Sequence, residues 1–293
     1  MNHKVACIVP AGDICGEGAV WHDAQGALYW TDINRFLVHR FEPATGATQT
    51  WFFDEPATSV NLTTDDDVLL LVLGSKIALW RPSAHPELAI LRGLADAPRM
   101  RFNEARVDRR GSLWAGSMRN NVNPHGEPLD VEFAGGILYR LDPDGKWTEW
   151  KTGIGIPNTM AWSPDGKVFY SGDTTANIIY AYDYDPQTGA ISAERPHAAG
   201  CPQGLPDGSA MDAEGYLWNA RYSGRCVLRI APDGSIDHVV QLPVASPTTC
   251  AFGGPDLKTL YITSARSEEQ YSGSVFALNL GVSGLPESRF RLE

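Results

Sequence analysis

Apolar residues in this chain recur in short clusters between turn residues. No long segment places them at the i, i+3, i+4, i+7 spacing of an amphipathic helix. Six runs rich in β-branched and aromatic residues stand out, at 27–31, 68–73, 112–116, 168–172, 216–220 and 259–263. Such residues suit a pleated, half-buried surface. A second strand-like run follows each of them, at 38–41, 77–80, 137–141, 178–182, 227–230 and 275–278. Turn tetrads sit at related places, among them Pro43-Ala44-Thr45-Gly46, Asp142-Pro143-Asp144-Gly145 and Pro186-Gln187-Thr188-Gly189. Proline presets φ for a turn and glycine supplies positive φ.

Six copies in 293 residues repeat about every 49 residues, within the ~40–50-residue period of propeller blades. The pattern predicts an all-β protein: one six-bladed β-propeller domain over residues 1–293, with four-stranded antiparallel blades. Radial repetition leaves few exposed sheet edges. The segment 239–243 precedes the last repeat as an outer strand, and Val5 to Pro10 stands in the same relation to the first. The N-terminal strand is therefore expected to complete the last blade and clasp the ring.

Charge narrows the partners. The chain carries 24 Lys and Arg against 35 Asp and Glu, a net charge of −11 without a basic cluster. A nucleic-acid backbone or an anionic membrane would be repelled. No stretch approaches 18 continuous apolar residues, and the N-terminus shows neither a signal-peptide core nor a cleavage site. The five cysteines (7, 15, 201, 226, 250) are odd in number and form no CxxC pair. They read as reduced and mostly buried, which implies a cytoplasmic location. A monomer or weak dimer is expected.

The candidate chemistry lies where a propeller core should be apolar. Asn103, Asn158 and Asp207 each stand eight residues before a turn glycine: Gly111, Gly166 and Gly215. Glu17 stands nine before Gly26, so its equivalence needs one extra residue in its turn. Equivalent inner-strand positions converge on a propeller's axis. Four oxygen-bearing side chains would then face one another, at a desolvation cost that a bound cation relieves. Oxygen donors of this kind suit Ca²⁺, Mg²⁺ or Mn²⁺ and tolerate Zn²⁺ or Fe²⁺.

Other residues are less informative. None of the seven histidines has zinc-site spacing, and His125 and His197 read as surface residues. No Gly-x-Ser-x-Gly elbow is present. Cys15 lies near Glu17 without an electropositive neighbourhood that would make it reactive. Trp30, Trp114 and Trp218 share repeat positions and read as packing between blades. Arg119, Arg221 and Arg266 follow second-strand positions. They read as solvated surface arginines, with recognition of a second substrate carboxylate as the alternative.

These motifs resemble the SMP-30/gluconolactonase/LRE-like family from about residue 14 to 280. Residues 16–21 (GEGAVW) resemble its opening motif, and 101–104 (RFNE) its Arg-x-Asn-Asp segment. Residues 157–166 resemble its Asn-Gly-x-x-x-Ser-x-Asp-Gly stretch, Pro206-Asp207-Gly208 its Pro-Asp-Gly, and 252–265 the bacterial sugar-lactonase branch. The resemblance implies hydrolysis of a sugar-derived lactone, an aldono- or aldarolactone, with one divalent ion. It implies Glu17, Asn158 and Asp207 as ligands, Asp207 also as general base, and Arg101 and Asn103 as substrate contacts. Three departures are visible. Glu104 stands where Asp is usual, Thr159 replaces a Gly, and the loop 119–136 offers no Glu where some members have a substrate contact. Paraoxonase-like lactonases would need a histidine pair, and strictosidine-synthase-like propellers need no metal triad. A binding propeller without turnover is the alternative from another class.

Overall fold

The computed structural model describes residues 4–292. Six sheets, each with four antiparallel strands and one of them extended by a short parallel fifth, are arranged as a six-bladed propeller. The blades span residues 16–52, 57–93, 100–154, 157–199, 205–241 and 247–279. Each begins at the central channel and moves outward strand by strand. Among the described residues the helical content is one short 3₁₀ turn, Pro82–Ala84, and no helix is long and apolar enough to cross a membrane.

Burial follows distance from the axis. The inner strands Gly16–His22, Ala57–Thr63, Met100–Val107 and Pro247–Gly253 are buried at every residue. The outermost strands Ala47–Phe52 and Leu88–Gly93 are largely exposed. The core divides into hydrophobic clusters, six of which each join two neighbouring blades. One packs Leu70 and Val72 against Phe102 and Leu113, and another packs Ala161 and Tyr170 against Leu217 and Leu228. A fully buried side chain of this kind contributes roughly 1.5–3 kcal/mol.

The three equivalent tryptophans do pack at these seams, and each also makes a polar bond. Trp30, Trp114 and Trp218 donate their indole N–H to Asp13, Asp108 and Asp212 at 2.8, 2.9 and 2.9 Å. Asp108 and Asp212 open the turns after their inner strands and also accept turn amides, as in Ser112 N to Asp108 at 3.0 Å. The recurring pair ties each of those turns to the seam.

Closure follows the expected scheme. Ala6–Val9 pairs antiparallel with Val275–Asn279 and becomes the fourth strand of the last blade. A second closure was not visible in the repeat pattern. The C-terminal segment crosses the channel at the C-terminal ends of the inner strands. Gly284 bridges to Asp212, Arg289–Phe290 pairs in parallel with Leu62 and Thr63, and Arg291 N donates to Gly111 O at 3.2 Å. This strap leaves the opposite end, where the inner strands begin, for the candidate site.

Candidate active site

All six inner strands slip by one residue against their neighbours near the same level. The slips fall between Glu17 and Val20, Ala57 and Ser59, Phe102 and Ala105, Asn158 and Met160, Pro206 and Ser209, and Pro247 and Cys250. Such bulges re-aim side chains. Here they bring Glu17, Asn103, Asn158 and Asp207 to one level of the channel, with Thr58 and Thr248 in the two remaining blades. Glu17 joins this ring despite its different glycine offset. All six side chains are buried.

The structure brings the four predicted polar residues together. Asn103 donates its amide to Asn158 Oδ1 at 3.2 Å and to Pro157 O at 3.0 Å. Asn158 donates to Thr174 Oγ1 at 2.9 Å. The Glu17 and Asp207 carboxyl groups lie close enough to act on one another. Burial and Glu104 push the Glu17 carboxyl up to about 7. Burial first, then Glu17, push Asp207 well above the usual carboxylate range. Asp207 Oδ1 is buried without a hydrogen-bond partner. Two facing buried carboxyls and an orphaned oxygen form a set that a divalent cation would satisfy. Among the described residues no three His, Cys, Asp or Glu side chains form a metal cluster. The set here is two carboxylates and an amide, oxygen donors throughout.

Arg101 connects this cluster to a cavity. It lines a pocket of about 480 Å³ with Phe36, Pro98 and Val122 at the same end of the channel. Its Nη1 donates to Asn103 Oδ1 and to Phe102 O, both at 2.8 Å. Its Nε and Nη2 donate to Asn121 Oδ1 at 3.0 and 2.8 Å. Burial lowers the Arg101 pKa to about 10. The hydrogen-bond chain Arg101–Asn103–Asn158 therefore runs from the pocket wall to the candidate ligand Asn158.

Sequence reasoning missed three features. Asn121 lies in the loop where no substrate-contacting Glu could be placed, and it holds Arg101. Glu104 and Arg106, two apart on one strand and so on one face, form a buried pair at 3.5 Å. Alternation in the RFNEAR segment was the available signal. Thr159 occupies the left-handed region at φ 50°, where Gly is easier, and its hydroxyl donates to Asp207 O at 2.5 Å. The departure from Gly thus adds a bond that positions the neighbouring blade's carboxylate.

The surface reading of Arg221 is overturned. Arg221 is 2% exposed, and it donates to Asn219 Oδ1 at 3.0 Å, Gln203 O at 3.0 Å and Gly204 O at 2.6 Å. Asn219 in turn donates to Asp207 O at 3.0 Å, so Arg221 supports the site's backbone. Arg266 is exposed and Arg119 half-buried. His125 is exposed, whereas His197 is half-buried against Tyr170. Cys226 and Cys250 are buried while the other three cysteines are partly exposed. Burial, with Glu17 and Asp207 nearby, pushes the Cys15 thiol well up, which leaves it unreactive.

Comparison with known proteins bears on the family and the fold. A family model described as "SMP-30/Gluconolactonase/LRE-like region" matches residues 15–266. Pentonolactonase XacC of Haloferax volcanii is 35% identical over 288 residues, covering 94% of each chain. Regucalcin of Oryctolagus cuniculus is 35% identical over 294 residues, covering 97% of each chain. A solved structure titled as a calcium-binding protein, regucalcin, from Agrobacterium tumefaciens has a TM-score of 0.90 at 27% identity, covering 99% of this chain and 98% of that one. With its fold, its ordered motifs and this family match, the chain belongs to the SMP-30/gluconolactonase/LRE-like family.

Proposed function

We propose that the chain hydrolyses a sugar-derived lactone to the open-chain sugar acid, as a carboxylic-ester hydrolase that uses one divalent cation. The observation that carries this reading is the pair of buried, interacting carboxyls, Glu17 and Asp207, with Asp207 Oδ1 unpartnered and Arg101 bonded to the neighbouring Asn103 from the pocket wall. Glu17, Asn158 and Asp207 would hold the ion, from the group Ca²⁺, Mg²⁺, Mn²⁺, Zn²⁺ or Fe²⁺. When bound, such a cation supplies Lewis-acid polarisation of the lactone carbonyl and balances the two carboxylates. The Haloferax relative's name, pentonolactonase, supports the substrate class, and the calcium-binding Agrobacterium neighbour supports a divalent ion.

The chain's own groups do the rest. Asp207 accepts the proton of the attacking water, and burial, by raising its affinity for protons, suits it to that task. Thr159 and Asn219 hold the Asp207 backbone carbonyl and so limit how far the base can move. Arg101 and Asn103 orient the ring hydroxyls, and a fixed geometry lowers the entropic part of the barrier. Five free cysteines accord with a cytoplasmic location.

Acid release from gluconolactone, followed by pH-stat with and without EDTA, tests the reading. Base uptake above the spontaneous rate, abolished by EDTA and restored by a divalent cation, is expected. Full activity in metal-stripped protein would return the channel carboxylates to a structural role. Metal binding without turnover of any sugar lactone would favour a binding propeller.

A further inference from the structure

The electrostatics of the pocket point to a narrower substrate class. Arg101 is buried, yet each acceptor it bonds is neutral: Asn121 Oδ1, Asn103 Oδ1 and the Phe102 carbonyl. Other buried arginines pair with carboxylates, Arg106 with Glu104 at 3.5 Å and Arg140 with Asp142 at 2.8 Å. Arg221 is also held by neutral groups, but it does not line the pocket that Arg101 lines. A guanidinium has five N–H donors, and these contacts occupy four of them. One donor on Nη2 remains.

Charges around the pocket do not cancel this cation. Glu55 also lines the pocket but is neutralised by Lys76 at 2.6 Å and bonded by Ser75 Oγ at 3.0 Å. Asp54 at the rim is exposed, where water and salt screen its field. Of the groups acting on Arg101, the Cys15 thiol is kept protonated by burial and Glu17 lies on the ligand side. Glu17 and Asp207 with a divalent ion would sum to zero there, and Glu104 is offset by Arg106 at 3.5 Å, so one positive charge would be left over beside the substrate. Asn121 is central to this outcome. It accepts two guanidinium N–H groups, as a carboxylate would, without carrying a charge.

We propose that the site selects lactones bearing an anionic group away from the ring carbonyl, an aldarolactone carboxylate in the first instance. Asn121 sets this selectivity by positioning Arg101 without neutralising it. The proposal rests on the lactonase reading and narrows it. An oxyanion received by Arg101 makes a charge-assisted bond, stronger than the one a neutral hydroxyl makes.

A matched pair tests it: galactono-1,4-lactone and galactaro-1,4-lactone, which differ in a hydroxymethyl against a carboxylate. The kcat/KM ratio is measured by pH-stat with the cation-loaded protein at physiological salt. The wild type is expected to favour the galactarolactone by roughly tenfold or more, the scale of one charge-assisted hydrogen bond. Asn121→Asp, which places a carboxylate on Arg101, is expected to bring the ratio to about one. Arg101→Gln, which removes the charge, gives the same collapse and serves if the first variant does not fold. A wild-type ratio of one or less overturns the proposal, as does a high ratio that survives both substitutions. Calorimetry of the cation-loaded protein with galactarate and galactonate gives an independent reading. If neither lactone is opened, the gluconolactone assay decides the lactonase reading and calorimetry decides this one: tighter galactarate binding supports the selectivity, and equal binding ends it.

Discussion

At the scale of single residues, Asp207 serves two demands with one side chain. It is a candidate ligand through its oxygens and the candidate base through its lone pairs. Asp207→Asn separates these, because the amide keeps a carbonyl oxygen but accepts no proton at neutral pH. The variant is expected to retain metal by elemental analysis and to lose roughly 10²–10⁴-fold in kcat, the scale of general-base removal. Asp207→Ala should lose both metal and turnover. Wild-type turnover in Asp207→Asn would leave Asp207 a ligand alone. Glu17 gives a second prediction. Its folded pKa is raised from 4.5 to about 7, so the folded protein holds a proton that the unfolded chain has released. Stability from this group is complete below pH 4.5 and is lost as pH rises toward 7. The urea midpoint of metal-stripped protein should therefore fall across that window, while added divalent cation should raise it most at the alkaline end. A midpoint that climbs through the window without metal would mean the carboxyls are not packed as described.

At the scale of elements, the bulge in each inner strand aims the site. In the first blade it depends on Gly18, at φ 58°, where a Cβ would lie 2.7 Å from both Ser59 Cα and Thr58 O of the next blade. Gly18 N also donates to Glu17 Oε2 at 2.9 Å. Gly18→Ala therefore strains the backbone and pushes two blades apart beside a ligand. A loss of about 2–4 kcal/mol is expected from the positive φ and the overpacking together. Chemical denaturation measures it, and weakened metal affinity should accompany it. Gly26→Ala is the control, since its φ is also 58° but nothing lies within 4 Å of its Cβ position. Its cost should be confined to the backbone term, about 1 kcal/mol.

At the scale of the whole molecule, the ring has two closures, the N-terminal strand and the C-terminal strap. Ala6, Cys7 and Val9 pair with Ala277, Phe276 and Val275, and Val9 is buried in the seam between the last and first blades. A chain lacking residues 1–9 exposes a strand edge and part of that seam. Its melting temperature is expected to fall by roughly 5–15 °C, given about 2–4 °C per kcal/mol for larger domains. Thermal scans with size-exclusion chromatography check this, and association through the bared edge would appear as larger species. An unchanged melting temperature would show that the strap alone holds the ring.

The repeat made much of this protein legible in its sequence. Strand runs recurring six times along the chain determined six blades, and a leading strand without a sheet of its own determined how they close. The shared distance to a turn glycine determined that Asn103, Asn158 and Asp207 meet, because equal offsets in equal blades point to one axis. Glu17 entered with an irregular offset, and only the bulge of its strand put it opposite Asp207. Contacts between positions that are not equivalent leave no periodic trace, and tertiary structure alone decided them. Asn121 reaches Arg101 from a loop longer than its counterparts in the other blades. Arg221 turned inward because Asn219, Gln203 and Gly204 offer it acceptors that pattern cannot display. The strap of residues 284–291 crosses the channel by pairing with turns from three blades far away in sequence. Periodicity reports what each blade must repeat to pack against its neighbours, while the charge balance of the pocket depends on what each blade does once.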